Sequence, residues 1–379
     1  MRRLLSAAFT PARRYVLRRS LGRIKQVLRA AAPWIWAPGR LKVERAGTTA
    51  VVDWTGRPDN LGPVAAYLNA QAVDGHSAQH PCISGIRAFD FWRPGTFKVP
   101  VYLDAVIDLS RPYDETLRDC NENIRRVVRR HAGRVEVVHV RDPAAVEALN
   151  HALLRPFAEA RHGSETAHVR LETVQRFARG DSGGRVTALY SEGVPLACHV
   201  GFESCPRGIR TWNALRFGYA QQVFEDPRLL DEFNTVNLYW AAVWAFENGF
   251  AQYNIGASPG QPDGGLLQWK CRRGARVDVD RTERFFYLDV PMAERPRFLW
   301  ASPIYFENHG SLGLALGVPD QTTLDDVINR WRRIVFHGVS QVQIYCSGLP
   351  DDKVRVSVER LIRQGPGSPQ VRWNPTGHP

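Results

Sequence analysis

The sequence has no run of 18 apolar residues, so nothing in it would cross a bilayer as a helix. A secretory h-region is also missing, and the protein is expected to stay in the compartment where it is made. The six cysteines, Cys82, Cys120, Cys198, Cys205, Cys271 and Cys346, form no C-x-x-C pair. In a chain of 379 residues this argues against a disulfide framework and fits a reducing compartment. The nearest approach to metal-ligand spacing is His76, His80 and Cys82, in a Gly/Ser/Pro-rich stretch; it reads as loop polarity, and no metal is expected. There is no P-loop and no dinucleotide fingerprint in a βαβ setting, so nucleotide-dependent chemistry has no motif behind it. Long polar tracts are absent as well, which excludes wholesale disorder.

Acidic residues are missing from one stretch. Residues 1–43 contain 11 Lys/Arg and no Asp or Glu, whereas the rest of the chain carries 39 basic against 38 acidic residues. The formal net charge of +12 is therefore almost wholly N-terminal, and a near-neutral body does not predict a general polyanion binder. Between Pro11 and Pro33, Leu17, Leu21, Ile24 and Leu28 fall on one helical stripe flanked by Arg14, Arg18, Lys25 and Arg29. With Trp34 and Trp36 close behind, residues 11–36 could lie on an anionic membrane surface. An Arg-rich, acid-poor start also suits a targeting peptide, and a surface helix packed on its own domain is the third reading.

The body reads as α/β. The segment 41–55 suggests strands turning at Gly47, followed by a helix over 58–72, a short strand near 83–89 and a β-branched strand over 99–108. Asp114 would cap a helix stopped by Gly133, followed by a strand at 135–140 and a helix at 143–160. The pattern then restarts: helix 169–178, a hairpin of strands 185–190 and 194–203 turning at Glu192–Gly193, strand 209–217 and a long helix 227–248 with Gly249 at its end. Strand 251–256, a helix-like 266–272 and strand 284–290 follow. The tail reads as strand 311–316, helix 321–335 and strand 341–346. The expected organisation is a basic segment over 1–40, domains over 41–163 and 164–300, and a strand–helix–strand tail over 301–379 that could pack on the first domain.

Gly256-Ala257-Ser258-Pro259-Gly260 matches G-x-S-x-G after a strand. A hydrolase elbow, however, needs a helix next and a backbone N–H after the serine, and Pro259 has none. A more extended pattern surrounds it. Gly249-Phe250, Asn254, Gly256, Ser258, Gly265-Leu266, Trp269-Lys270 and Gly274-Ala275 follow a helix in the order and spacing of the FemAB-like branch of the GNAT superfamily. Val106–Ser110, the Arg125–Arg130 helix and the stretch from Pro156-Phe157 to Arg161-His162-Gly163 are similar to that family's first half. The resemblance covers roughly residues 100–290.

The resemblance implies a mixed α/β fold of tandem GNAT-like domains, each a mixed sheet flanked by helices. It implies an acyltransferase that moves an acyl or aminoacyl group to an amine. Such a reaction needs positive charge at the developing oxyanion and a proton acceptor. Lys270 would supply the charge, unless it is a solvated helix lysine. His199 and His162 are candidate bases, or ordinary histidines of core and surface. Asn237, Tyr239, Asn254, Gly256, Ser258 and Trp269 would bind substrate, although Asn237 and Asn254 could instead satisfy local backbone. The donor would be acyl-CoA, such as acetyl-CoA, held at Arg216, Gly218 and Ala220 within Leu215–Ala220, or aminoacyl-tRNA met by the Arg125–Arg130 face. The amine-bearing acceptor would be a cell-envelope precursor, with no DNA partner and a cytoplasmic location, peripheral on the inner face of the membrane. The rivals are a non-catalytic GNAT-like scaffold in membrane-associated envelope or polysaccharide assembly, and an RNA-binding module.

Overall fold

The structure is a computed structural model that describes residues 51–376, apart from 57, 69–70, 74–76, 81–82, 163–169, 280–281, 283, 321, 349 and 364–368. The expected amphipathic segment and the first strand and turn, before residue 51, lie outside the described residues, as do His76 and Cys82. No helix among the described residues is long and apolar enough to cross a membrane.

The strands are, in chain order, β1 (Val51–Thr55), β2 (Gln71–Val73), β3 (Ser77–Gln79), β4 (Ile86–Phe89), β5 (Phe97–Pro100), β6 (Tyr102–Asp108), β7 (Glu136–His139), β8 (Arg185–Ser191) and β9 (Val194–Ser204). They continue with β10 (Thr211–Tyr219), β11 (Gln252–Pro259), β12 (Ala275–Asp278), β13 (Phe285–Asp289), β14 (Ile304–Asn308), β15 (Ser311–Val318), β16 (Gln341–Cys346) and β17 (Gln370–Pro375). The fold is thus mixed α/β, with several mixed sheets flanked by helices. The chain divides into two compact units, and neither is continuous in sequence. One comprises 106–256 with 272–275; the other comprises the described residues of 51–105, 257–271 and 276–376. Linear domains meeting near 163 and 300 are therefore not the compact units, because strands far apart in sequence share a sheet.

In the first unit the strands run in the order β6–β11–β10–β9–β8–β7. The β8–β9 hairpin turns on Glu192 and Gly193, both at positive φ (51° and 79°), the pair that a tight two-residue hairpin demands. Helix Pro227–Glu247 opens on the Asp226 carboxylate, which accepts from the N–H groups of Arg228 and Leu229, and it ends at Gly249 with φ +73°. It buries Phe233 and Val236 in a core with Leu189, Ala197 and Tyr219. The helix expected to run from Asp114 to Gly133 is instead two helices. Tyr113–Arg118 begins after Pro112, with Asp114 in its first turn, and Glu122–His131 is capped by Asn121, whose side chain accepts from Asn123 N–H. An asparagine that offers the backbone its own acceptor ends one helix and starts the next.

The second unit holds a sheet of order β2–β3–β1–β4–β13–β5 and a separate sheet of order β14–β15–β16–β17. Strand 99–108 was expected to be continuous but breaks at Val101, whose N–H goes to the Arg284 carbonyl and whose carbonyl accepts from Gly260. In the tail, β15, β16 and β17 are parallel, and helices Leu324–Trp331 and Asp352–Arg363 form the crossovers. The tail builds its own sheet, yet Phe298, Ile304, Phe306, Ala315 and Tyr345 share one core with Val52, Trp54, Ile86 and Val99. Helix Arg295–Ala301 lies so close to β15 that a Cβ at Gly317 would stand 2.0 Å from the Pro296 carbonyl oxygen. Gly317→Ala should therefore lower stability by about 1–3 kcal/mol, read from the urea midpoint at unchanged m; a midpoint equal to wild type would contradict this packing.

Candidate active site

Strand β11 carries the motif residues, and its register locates a bend in the backbone. β10 and β11 are parallel neighbours, paired at Thr211–Gln252, Trp212–Tyr253 and Asn213–Asn254. The ladder stops there, although β10 runs on to Tyr219 beside β9. Beyond Asn254 the chain bends at Gly256, with φ +85°, and the Gly256 N–H donates to Asn254 Oδ1 at 2.9 Å. Asn254 thus serves local backbone. Asn237 does likewise: its Nδ2 donates to the Cys198 carbonyl at 3.2 Å. The parting of two parallel strands is where an extended ligand can meet strand backbone, since groups beyond the last ladder pair need other partners.

In the second unit, Ala257, Ser258 and Pro259 continue β11, so G-A-S-P-G is strand and not a nucleophile elbow. Ser258 is buried, and its hydroxyl has no hydrogen-bond partner among the described residues. Helix Gly265–Cys271 carries Lys270 in its last turn. Lys270 is only 6% exposed, and its Nζ donates to the Ala257 carbonyl at 3.1 Å. A buried lysine is rare because desolvating an ammonium is costly, so it has to be answered by acceptors. Trp269 is half-buried. Cys271, next in line, is a thiol pushed up to about 12 by burial, and is inert.

The candidate bases fare differently. His199 is 2% exposed, faces the rings of Trp212, Phe217 and Tyr253, and places Nε2 3.1 Å from the Tyr253 hydroxyl. Burial, with a smaller contribution from Arg185, lowers its pKa to about 3. It is a core histidine that burial keeps neutral, the second of its two readings. His162 ends helix Arg155–His162, and its side chain lies outside the described residues. Tyr239 packs edge-on against Trp240, and burial followed by the Asp114 carboxylate raises its hydroxyl to about 12.

Arg216, Gly218 and Ala220 were expected in a phosphate-cradling loop. Instead Arg216 and Gly218 lie inside β10, and Gly218 pairs with Cys198. The glycine is needed for packing, since a Cβ there would meet the backbone of Leu153 and Leu154 at 2.9 Å. The Ala220 N–H is taken by the Leu196 carbonyl, and the helix that follows, Gln221–Phe224, is a single turn. The Arg125–Arg130 face is also largely answered from within: Arg125 and Arg129 pair with Glu122, and Arg130 pairs with Glu232. His80, the described member of the His/Cys loop, is hydrogen-bonded to Ser302 Oγ at 2.8 Å.

With this geometry, the chain is similar in fold to several solved structures. Among them are FemX (13% identity over 51% of this chain and 62% of that one, TM-score 0.38), L-PGS from Bacillus licheniformis (15%, 54% and 62%, 0.35) and a GCN5-related N-acetyltransferase from Kribbella flavida (13%, 54% and 66%, 0.29). The match spans under two thirds of the length of these structures. No protein-family model matches the sequence, and no curated protein matches it.

Sequence reasoning missed two buried charged groups. Arg273 is 4% exposed and donates to Asp231 Oδ1 at 2.8 Å and to Thr235 Oγ1, which ties the segment after Lys270 to the long helix. Glu232 is buried against His131 at 2.7 Å and against Arg130. The spacing Lys270-x-x-Arg273 and the i, i+4 pair Asp231/Thr235 are visible in the sequence, but not that they meet.

The buried neutral His199 has a consequence for pH. The unfolded chain binds this proton near the ordinary histidine value of ~6.5, while the folded state resists it down to about 3. The associated stability is fully present above about pH 6.5 and is lost as pH falls through this window, by up to about 1.4 kcal/mol per pH unit. Between pH 7 and pH 5, the urea midpoint of His199→Asn should fall less than that of wild type; equal falls would mean that His199 is not buried neutral.

Proposed function

We propose that this chain transfers an aminoacyl group from an activated ester to an amine, with Lys270 offsetting the charge that develops on the carbonyl oxygen. The observation that carries this reading is the buried Lys270 ammonium, which donates to the carbonyl of Ala257, the residue before Ser258. A desolvated cation held in place by the fold is suited to preorganised stabilisation of an oxyanion. The FemAB-like spacing from Gly249 to Ala275 supports the same chemistry.

In this reaction the amine nitrogen forms a bond to the carbonyl carbon and the ester C–O bond breaks. The proton released by the amine ends on the departing oxygen. Of the two donor classes the sequence left open, aminoacyl-tRNA is favoured. The segment Leu215–Ala220, which would have cradled the pyrophosphate of an acyl-CoA, spends its backbone on strand pairing and core packing. The acceptor is an amine on a cell-envelope precursor, approached at the membrane through the basic, acid-free N-terminal segment.

The test is transfer of radiolabelled amino acids from a pool of charged tRNAs to an amine acceptor, with wild type and Lys270→Met compared. Lys270→Met keeps the length of the side chain and removes its charge. Its kcat should fall by roughly 10²–10³-fold with the thermal midpoint retained. Undiminished transfer by the variant would remove Lys270 from the chemistry. Label transferred only from acetyl-CoA would reassign the donor. Failure of the wild type with both donor classes would leave the non-catalytic scaffold as the reading.

A further inference from the structure

The first unit carries a basic surface that the chemistry proposed for Lys270 does not use. Helix Glu122–His131 and the turn Ala132–Arg134 hold five arginines, no lysine and one carboxylate, Glu122. Glu122 is shared by Arg125 and Arg129. A second carboxylate, Glu232 of helix Pro227–Glu247, is shared by Arg130, Arg228 and His131. These pairs hold the side chains in place, but two carboxylates do not balance five arginines.

Packing does not explain the charge. The helix faces inward with Ile124 and Val128, which are buried, and with Val127, which packs on the core at Phe233. Its opposite face leaves Arg126 and Arg129 exposed, and Arg134 is exposed beyond its end. Basic residues in a last turn favour the helix C-terminus, which accounts for Arg129 and Arg130. That effect does not place Arg125 or Arg126, which lie earlier in the helix. Arg125 and Arg129, and likewise Arg126 and Arg130, are also like charges four residues apart, an arrangement that weakens an isolated helix. A basic face kept against that cost is suited to an external polyanion. The use of arginine throughout narrows the chemistry, because its planar fork meets two phosphate oxygens at once.

We infer that the outer face of Glu122–His131, continued by Arg134, docks the phosphate backbone of RNA. The choice of RNA among polyanions rests on the reading above that the donor is aminoacyl-tRNA. Arg126, Arg129 and Arg134 reach the phosphates, while Arg125 and Arg130, tied to Glu122 and Glu232, brace the face. Phosphate contacts position an RNA without reading its sequence, so binding here tolerates many tRNAs and weakens steeply with salt.

The experiment is binding of uncharged bulk tRNA to the full chain, followed by fluorescence anisotropy over a series of salt concentrations. The triple variant Arg126→Gln, Arg129→Gln, Arg134→Gln should bind roughly tenfold or more weakly, with a salt slope shallower by about 2. A charge-matched triple on the other unit, Arg332→Gln, Arg333→Gln, Arg360→Gln, should bind as wild type does. The basic segment before residue 44 is common to all these proteins, so it cannot produce the difference. If the first triple melts below wild type, the single Arg126→Gln decides instead, since that side chain is hydrogen-bonded only to Asn123 Oδ1, at 2.9 Å. Equal loss in the two triples, or no loss in the first, overturns the inference. So does a loss confined to phosphatidylglycerol vesicles, which would assign the face to a membrane. Loss of tRNA binding in the first triple, with no aminoacyl transfer by the wild type, keeps this inference and ends the reading of Lys270. Transfer from sub-saturating charged tRNA by that triple at the wild-type rate ends this inference and keeps the reading of Lys270.

Discussion

A strand that parts from its neighbour must find new partners for its backbone, and the region around β11 is organised by that requirement. The parallel ladder with β10 ends at Asn213 and Asn254, and Asn254 then turns its own side chain to the Gly256 N–H. Gly256 takes the left-handed conformation that an ordinary residue would resist. After the bend, the carbonyl of Ala257 is answered by the ammonium of Lys270. In each unit the same rule applies: no buried peptide group can be left without a partner.

The same rule explains why the buried charged and polar residues of this protein fall into two kinds. His199, Asn237 and Arg273 are satisfied by the interior. His199 is kept neutral beside Tyr253, Asn237 is spent on the Cys198 carbonyl, and Arg273 is held by Asp231 and Thr235. Such groups bind elements together, and burial withdraws them from acid–base chemistry. Ser258 is of the other kind, since its hydroxyl has no partner among the described residues. Unsatisfied polarity is costly to keep, and for that reason it marks where a ligand would be favourable.

Much of the secondary structure could be read directly from the chain. The β8–β9 hairpin followed from Glu192–Gly193, and the long helix from its apolar stripe, its Asp226–Pro227 start and its Gly249 stop. The motif from Gly249 to Ala275 picked out Lys270 and Ser258. Where the reading failed, two local patterns competed and tertiary context chose between them. Leu215–Ala220 has the glycine and alanine of a phosphate loop, yet Gly218 is there because the Leu153–Leu154 backbone leaves no room for a side chain. The apolar run over 99–108 carries no sign of its break at Val101, because that break depends on Arg284 and Gly260, which are remote in sequence.

The sequence by itself determined the mixed α/β class, the positions of most elements, the concentration of positive charge before residue 44 and the candidacy of Lys270. These depend on spacing, capping and composition, which act over a few residues. Only the tertiary structure decided that the compact units interleave, that the tail forms its own sheet and that His199 is sealed in the core. Each of these depends on which surfaces meet when apolar faces are buried together. That outcome belongs to the whole chain, and no local pattern encodes it.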